Sequence, residues 1–201
     1  LSVLEETTNQ GLALMSILPS PEHPEPIGKP GDQVHAVRFL GERAYVVTAR
    51  AIDPLYVIDV SDPLEPFIAG ELEIPGFATH LQPLAVANTE LLLSVGRQTN
   101  TSGAPQGVKV ELYDVSDIPL PRPLGAQVFG EGGSSSEAIG DPHALTVMQV
   151  PGETPSYRIG LPIDVYTVDT TYRWDYSGFH FLEVSSSTGS PQLRVHGVLK
   201  T

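Results

Sequence analysis

The sequence predicts an all-β chain that is part of a β-propeller, with three four-stranded antiparallel blades behind an N-terminal half-blade. Three observations predict it. Gly and Pro number 19 each among 201 residues, so the chain reverses direction often. Its apolar runs are short, rich in Val, Leu, Ile and Tyr, and closed by turn residues. An apolar-apolar-acidic core recurs four times, its acid at Glu5, Asp59, Asp114 and Glu183, spaced 54, 55 and 69 residues apart. A repeat of that length built from four short strands is a propeller blade. A β-sandwich explains the many strands but not the recurrence.

Residues 1–18 supply the half-blade, an outer pair of strands at 2–6 and 12–18. The first full blade spans 34–74, the second 81–129 and the third 143–199. With the strands lettered a to d from the channel outward, the repeated acid belongs to strand c. A small residue opens strand d eleven positions later at Ser16, Gly70 and Gly125, and three positions later still at Gly197. The a and b strands read as 34–40 with 43–49, then 81–86 with 90–95, then 144–150 with 156–162, split by Gly41, Asn88 and Pro151-Gly152. Many are apolar at consecutive positions, as in Ala44-Tyr45-Val46-Val47, which suits sheets covered on both faces. Asp62 before Pro63 suits the first two positions of a type I turn between strands c and d. No segment keeps a helical period beyond two turns. A ring closes with about 4–8 blades, so three and a half leave open edges. The expected covers are the remaining blades of a longer chain or a second copy of this one.

Lys and Arg total 11 against 24 Asp and Glu, a formal net charge of −13. That balance excludes a nucleic-acid backbone as the partner, because phosphate binding needs clustered cations. No apolar run approaches the roughly 18 residues of a membrane helix. With no Cys, a metal site must draw on His, Asp or Glu. There is no Gly-x-Ser-x-Gly elbow, and the run 130–136 lacks the Lys of a phosphate loop, so it reads as a flexible connector.

The segment 34–73, with 74–83 (IPGFATHLQP), 107–117 (GVKVELYDVSD) and 134–144 (SSSEAIGDPHA), resembles the secreted β-propeller domain family of bacteria and archaea. Residues 55–63, LYVIDVSDP, are also similar to the LVIVD repeat of surface propellers. The resemblance runs over essentially the whole chain and implies a secreted or cell-envelope protein. It carries no catalytic residues over to this sequence. One departure is His80-Leu81-Gln82-Pro83, where members tend to have an aromatic residue and then His.

Alternation of strand direction puts the a–b and c–d loops on one face and the b–c and d–a loops on the other. The longest excursions, 96–107, 130–142 and 163–177, all fall in the second set, which marks that face for binding. The last contains Tyr166, Tyr172, Trp174 and Tyr176, rigid amphipathic rings suited to a peptide or a sugar. With Glu137 and Asp141, Tyr172, Trp174 and Tyr176 are the candidate binding residues. His35, His80 and His143 open the a strands near the channel mouth, among Asp53, Glu137, Asp141, Asp164, Asp169 and Asp175. His35, His80, His143 and Asp141 are therefore candidate ligands for a divalent cation, Ca²⁺ or a His-bound transition metal. The bland alternatives are that these polar groups bond to backbone and water, and that the rings fold back over the blade edge. The leading expectation is a non-catalytic scaffold binding a protein, peptide or glycan at the envelope. The alternative is a metal-assisted hydrolase or lyase at the channel mouth.

Overall fold

The computed structural model describes residues 1–49, 53–152, 155–186 and 189–201. Three four-stranded antiparallel sheets follow one another, each with its strands in chain order. They are β3–β6 (Gln33–Leu40, Arg43–Ala49, Asp53–Asp59, Phe67–Ile74), β7–β10 (Phe77–Val86, Thr89–Thr99, Pro105–Asp114, Arg122–Phe129) and β11–β14 (Thr146–Val150, Ser156–Val168, Tyr172–Ser185, Gln192–Lys200). Ahead of them β1 (Ser2–Glu6) and β2 (Leu12–Ile17) form a two-stranded sheet. The all-β, four-stranded architecture is the one the repeat predicts.

The repeat is also a repeat of register. In each c–d pair the small residue lies opposite a c-strand residue two places before the acid: Ser16 opposite Val3, Gly70 opposite Val57, Gly125 opposite Leu112, Gly197 opposite Phe181. One d-strand residue is bulged out immediately before each of them, at Met15, Ala69, Leu124 and His196. A bulge adds local twist, and its recurrence gives all four d strands the same bend. Two of the four acids cap their c–d turns. Asp59 Oδ1 accepts from Ser61 N (2.8 Å) and Ser61 Oγ (2.6 Å), and Asp114 Oδ1 accepts from Ser116 N (3.0 Å). These are turn-capping bonds that a short carboxylate can make and an apolar residue cannot. The Arg122 guanidinium also reaches Asp114 Oδ2 at 2.7 Å.

Consecutive apolar residues divide between two cores because side chains alternate across a sheet. Ala44 and Val46 pack with Leu18 and Ile58 toward β1–β2, while Tyr45 and Val47 pack with Leu81, Leu92 and Tyr113 toward the second full sheet. Leu91, Leu93 and Val95 turn the other way, onto Ile159, Leu161 and Leu182 of the third sheet. Each junction is thus a separate apolar core. The a–b turn of the second sheet has both central residues, Ala87 and Asn88, at positive φ, the primed geometry that matches the strand twist.

Three expectations need correction. Most of 163–177 is not a loop: β12 runs to Val168 and β13 restarts at Tyr172, in register through Val168 opposite Tyr172. Likewise β8 continues to Thr99 and β9 begins at Pro105. The connector 130–136 is a docked segment rather than a flexible one, and two 3₁₀ turns, Glu137–Ile139 and Pro142–Ala144, follow it. Caps account for both turns, since Ser136 accepts from Ala138 N and Asp141 from His143 N.

A candidate binding face on the β12–β13 hairpin

The connector 130–136 is held from two sheets at once. Arg97 of β8 donates to Ser134 O at 2.7 Å. On the other side Glu131 N donates to Tyr166 O at 2.9 Å, and Ser135 exchanges both backbone bonds with Asp164. Ser134 is fully buried, and its hydroxyl accepts from Tyr166 N (2.9 Å) and donates to Tyr166 O (3.2 Å). The β12–β13 hairpin is therefore braced by a segment that locks its central residue from both backbone groups. Gly133 adopts φ 93°, a conformation that favours glycine, and a Cβ on Gly132 or Gly133 would stand 3.1 or 3.0 Å from the Tyr172 ring.

A bulge sorts the aromatic residues of this hairpin. Tyr176 lies opposite Val165 and Trp174 opposite Tyr166, which leaves Asp175 unpaired. Val165 and Tyr176 consequently face the core between the second and third sheets. Tyr172 and Trp174 project on the other side, 68% and 53% exposed. Of the three candidate aromatic contacts, Tyr172 and Trp174 are exposed on one side of the hairpin, and Tyr176 is half-buried on the other.

Beneath this hairpin a cleft of about 300 Å³ is lined by Glu137, Asp164, Ser177 and Phe179. Ser177 Oγ donates to Asp164 Oδ1 at 2.5 Å. Asp141 and His143 are neighbours, with the ring Nδ1 2.8 Å from Asp141 Oδ1. The backbone N–H of His143, then its ring, holds the Asp141 carboxyl below the usual range. His35 lies instead against the Phe77 ring, centroids 5.8 Å apart. His80, half-buried in β7, has its pKa lowered by burial and then by Arg38. Among the described residues no group of three or more His, Asp or Glu side chains is placed to hold an ion. The side chain of Asp53 lies outside the described residues.

Sequence reasoning missed two buried groups. His180 is 3% exposed, edge-on to Phe129 at 4.7 Å, stacked on Tyr176 at 5.8 Å, with Nε2 3.4 Å from the Tyr176 hydroxyl. Lys200 sits over the other partner, its Nζ 3.7 Å from the Tyr176 ring centroid. Burial, then the Lys200 charge, lowers the His180 pKa, so the unfolded chain takes up the proton first. Stability is then whole above about pH 6.5 and falls as pH drops below it, until the folded ring also protonates. Melting followed by circular dichroism from pH 7.5 to 5.5 should show this fall, and His180→Phe should make it shallower, leaving the contribution of His80, whose pKa is lowered in the same direction. A slope unchanged by that substitution contradicts the assignment. The second group is Lys109, Glu111, Tyr113 and Ser94, alternate positions on paired strands that face the first sheet. Lys109 Nζ lies 2.6 Å from Glu111 Oε2 and donates to Pro75 O, while the Tyr113 hydroxyl donates to Glu111 at 2.7 Å. Charged residues at alternate positions of a strand covered on both faces were the available signal.

Comparison with known proteins agrees with this architecture. Residues 12–197 match the family described as Beta propeller domain. The chain is 37% identical over 92 residues to an uncharacterized protein of Methanocaldococcus jannaschii, covering 46% of this chain and 14% of that one. It is 35% identical over 114 residues to an uncharacterized protein of Archaeoglobus fulgidus, covering 57% of this chain and 17% of the relative. Four-stranded sheets repeated in register, with a family match over nearly the full length, place the chain in the Beta propeller domain family.

Proposed function

We propose that this chain is a binding scaffold of an LVIVD-like surface propeller, secreted or held at the cell envelope, whose β12–β13 hairpin takes up a protein, peptide or glycan. The observation that carries the reading is the pair Tyr172 and Trp174, exposed together on a hairpin that the connector 130–136 braces. Preorganised aromatic rings bind at low entropic cost, because little freedom is lost on contact. The net charge of −13 favours partners other than nucleic acid.

Trp174 is the only Trp in the chain, so its fluorescence reports on this surface directly. Titration with soluble oligosaccharides and peptides should yield a ligand that shifts the emission. Tyr172→Ala with Trp174→Ala should then weaken that ligand at least about 10-fold by calorimetry, a loss of roughly 1.4 kcal/mol, with Tm nearly unchanged because both rings are exposed. Undiminished affinity in the folded double variant removes the hairpin from the proposal. The rival, a metal-assisted hydrolase or lyase, has Asp141 and His143 in contact. Stoichiometric Zn²⁺, Mn²⁺ or Ca²⁺ in protein purified without chelator would favour it.

A further inference from the structure

The chain builds one side-chain turn three times, and at an exposed tip it uses an amide in place of an acid. In 59–61 and 114–116, both Asp-Val-Ser, the carboxylate accepts from the N–H of the Ser at 2.8 and 3.0 Å. In 100–102, Asn-Thr-Ser, Asn100 Oδ1 accepts from Ser102 N (3.0 Å), Ser102 Oγ (2.7 Å) and Ala104 N (2.9 Å). The two backbone donors identify the bonded atom as oxygen, since the amide nitrogen does not accept. A carboxylate could make every one of these bonds. The backbone does not call for Asn either. Asn88 has φ 63°, a left-handed conformation that Asn tolerates, whereas Asn100 has no positive φ. What Asn100 has beyond an Asp is Nδ2, and among the described residues no hydrogen bond engages it.

Asn100-Thr101-Ser102 is the one Asn-x-Ser/Thr triplet in the sequence, since Asn9 precedes Gln10-Gly11 and Asn88 precedes Thr89-Glu90. It sits at the tip of the β8–β9 hairpin, where Thr99 pairs with Pro105. Asn100 N donates to Ala104 O at 3.0 Å and Gly103 N to Asn100 O at 2.9 Å, which closes the loop. All three residues of the triplet are exposed, and nothing lies within 4 Å of a Cβ built on Gly103. We infer that Asn100 carries an N-linked glycan. The transfer joins Nδ2 to the anomeric carbon of a lipid-linked glycosyl phosphate. The anomeric C–O bond breaks, the lipid phosphate leaves, and one Nδ2 proton passes to a base of the transferase. Donors on Oδ1 favour this step, because they stabilise the negative charge the oxygen gains as the nitrogen gives up its proton. The Ser102 hydroxyl, at the third position the motif requires, is one of them. The site rests on the export proposed above, since this triplet is an acceptor in secreted chains. It also borders the aromatic surface: Pro105 O and the Tyr172 ring lie 3.6 and 3.1 Å from where a Gly132 Cβ would stand.

The protein is taken from the cells that make it, and what the medium or protease shaving of intact cells yields is kept apart from what stays inside. Arg97 and Lys109 flank the site with no Lys or Arg between them, so trypsin frees residues 98–109 as one peptide. Fragmentation of that peptide in the mass spectrometer should place a saccharide on Asn100. In the same cells Asn100→Asp and Ser102→Ala should lose the saccharide, and Ser102→Thr should keep it. Asn100→Asp retains the acceptor of the turn, so its loss cannot be laid to misfolding. Bare Asn100 in exported protein overturns the site and leaves the location standing. A saccharide on Thr99, Thr101 or Ser102 in place of Asn100 does the same. Protein found only inside the cell overturns the export, and the site with it.

Discussion

Lys109→Met is expected to destabilise the protein by about 3–5 kcal/mol, and Lys109→Met with Glu111→Leu to recover most of that loss. Lys109 and Glu111 are 4% and 7% exposed, at the junction of the first and second sheets. Each ion lost its water on folding, and their attraction at 2.6 Å offsets that cost only while both are present. Removing the cation leaves Glu111, among the described residues, with the Tyr113 hydroxyl as its donor, too little for a buried carboxylate. Burial first, and Glu111 beside it, push the Tyr113 pKa up, so that hydroxyl stays protonated and donating. Replacing both ions by apolar chains removes the desolvation cost together with the attraction. Urea unfolding of the two single variants and the double variant measures the coupling. A single-variant cost under about 1 kcal/mol would mean that water reaches the pair, contrary to the burial described here.

The parts of this molecule that were legible in its sequence are those the repeat imposes. The acids and the small residues fall in one register because all four c–d pairs share the same bulge, and at Asp59 and Asp114 the acid also caps the turn that follows. Consecutive apolar residues announced sheets covered on both faces, since Leu92 and Leu93 must go to opposite sides. What escaped was what departs from the repeat. The extension of β12 and β13 past the sheet owes its order to the connector 130–136, a contact between segments about 30 residues apart that no local pattern encodes. The bulge at Asp175 then reversed the side on which Tyr176 lies, and a one-residue shift is invisible to alternation. The three histidines share a strand end by topology, but only His143 finds a carboxylate partner from its own turn, because local geometry brings Asp141 to it. Lys109 and Glu111 did carry a signal, as charges in a strand otherwise assigned to a dry interior.

Leu92→Ala and Leu93→Ala should each cost about 2–5 kcal/mol, and although the two residues are adjacent their costs should nearly add. Both side chains are fully buried, so each substitution loses transfer free energy and leaves a cavity. They belong to different cores. Leu92 packs with Tyr45, Val57 and Tyr113 between the first and second sheets, and Leu93 with Ile159, Leu161 and Leu182 between the second and third. Neighbouring residues ordinarily couple through a shared cavity, and here no cavity is shared. The double variant should therefore lie within about 0.5 kcal/mol of the sum, provided that it folds; if it does not, exchange in the single variants still separates the cores. In a chain of stacked units each interface contributes its own stability. Amide exchange should accordingly quicken in β3–β6 for Leu92→Ala and in β11–β14 for Leu93→Ala, each leaving the far sheet protected. Exchange that rises equally in all three sheets would show instead that the junctions melt as one cooperative core. The third sheet would then depend on the first as strongly as on its neighbour.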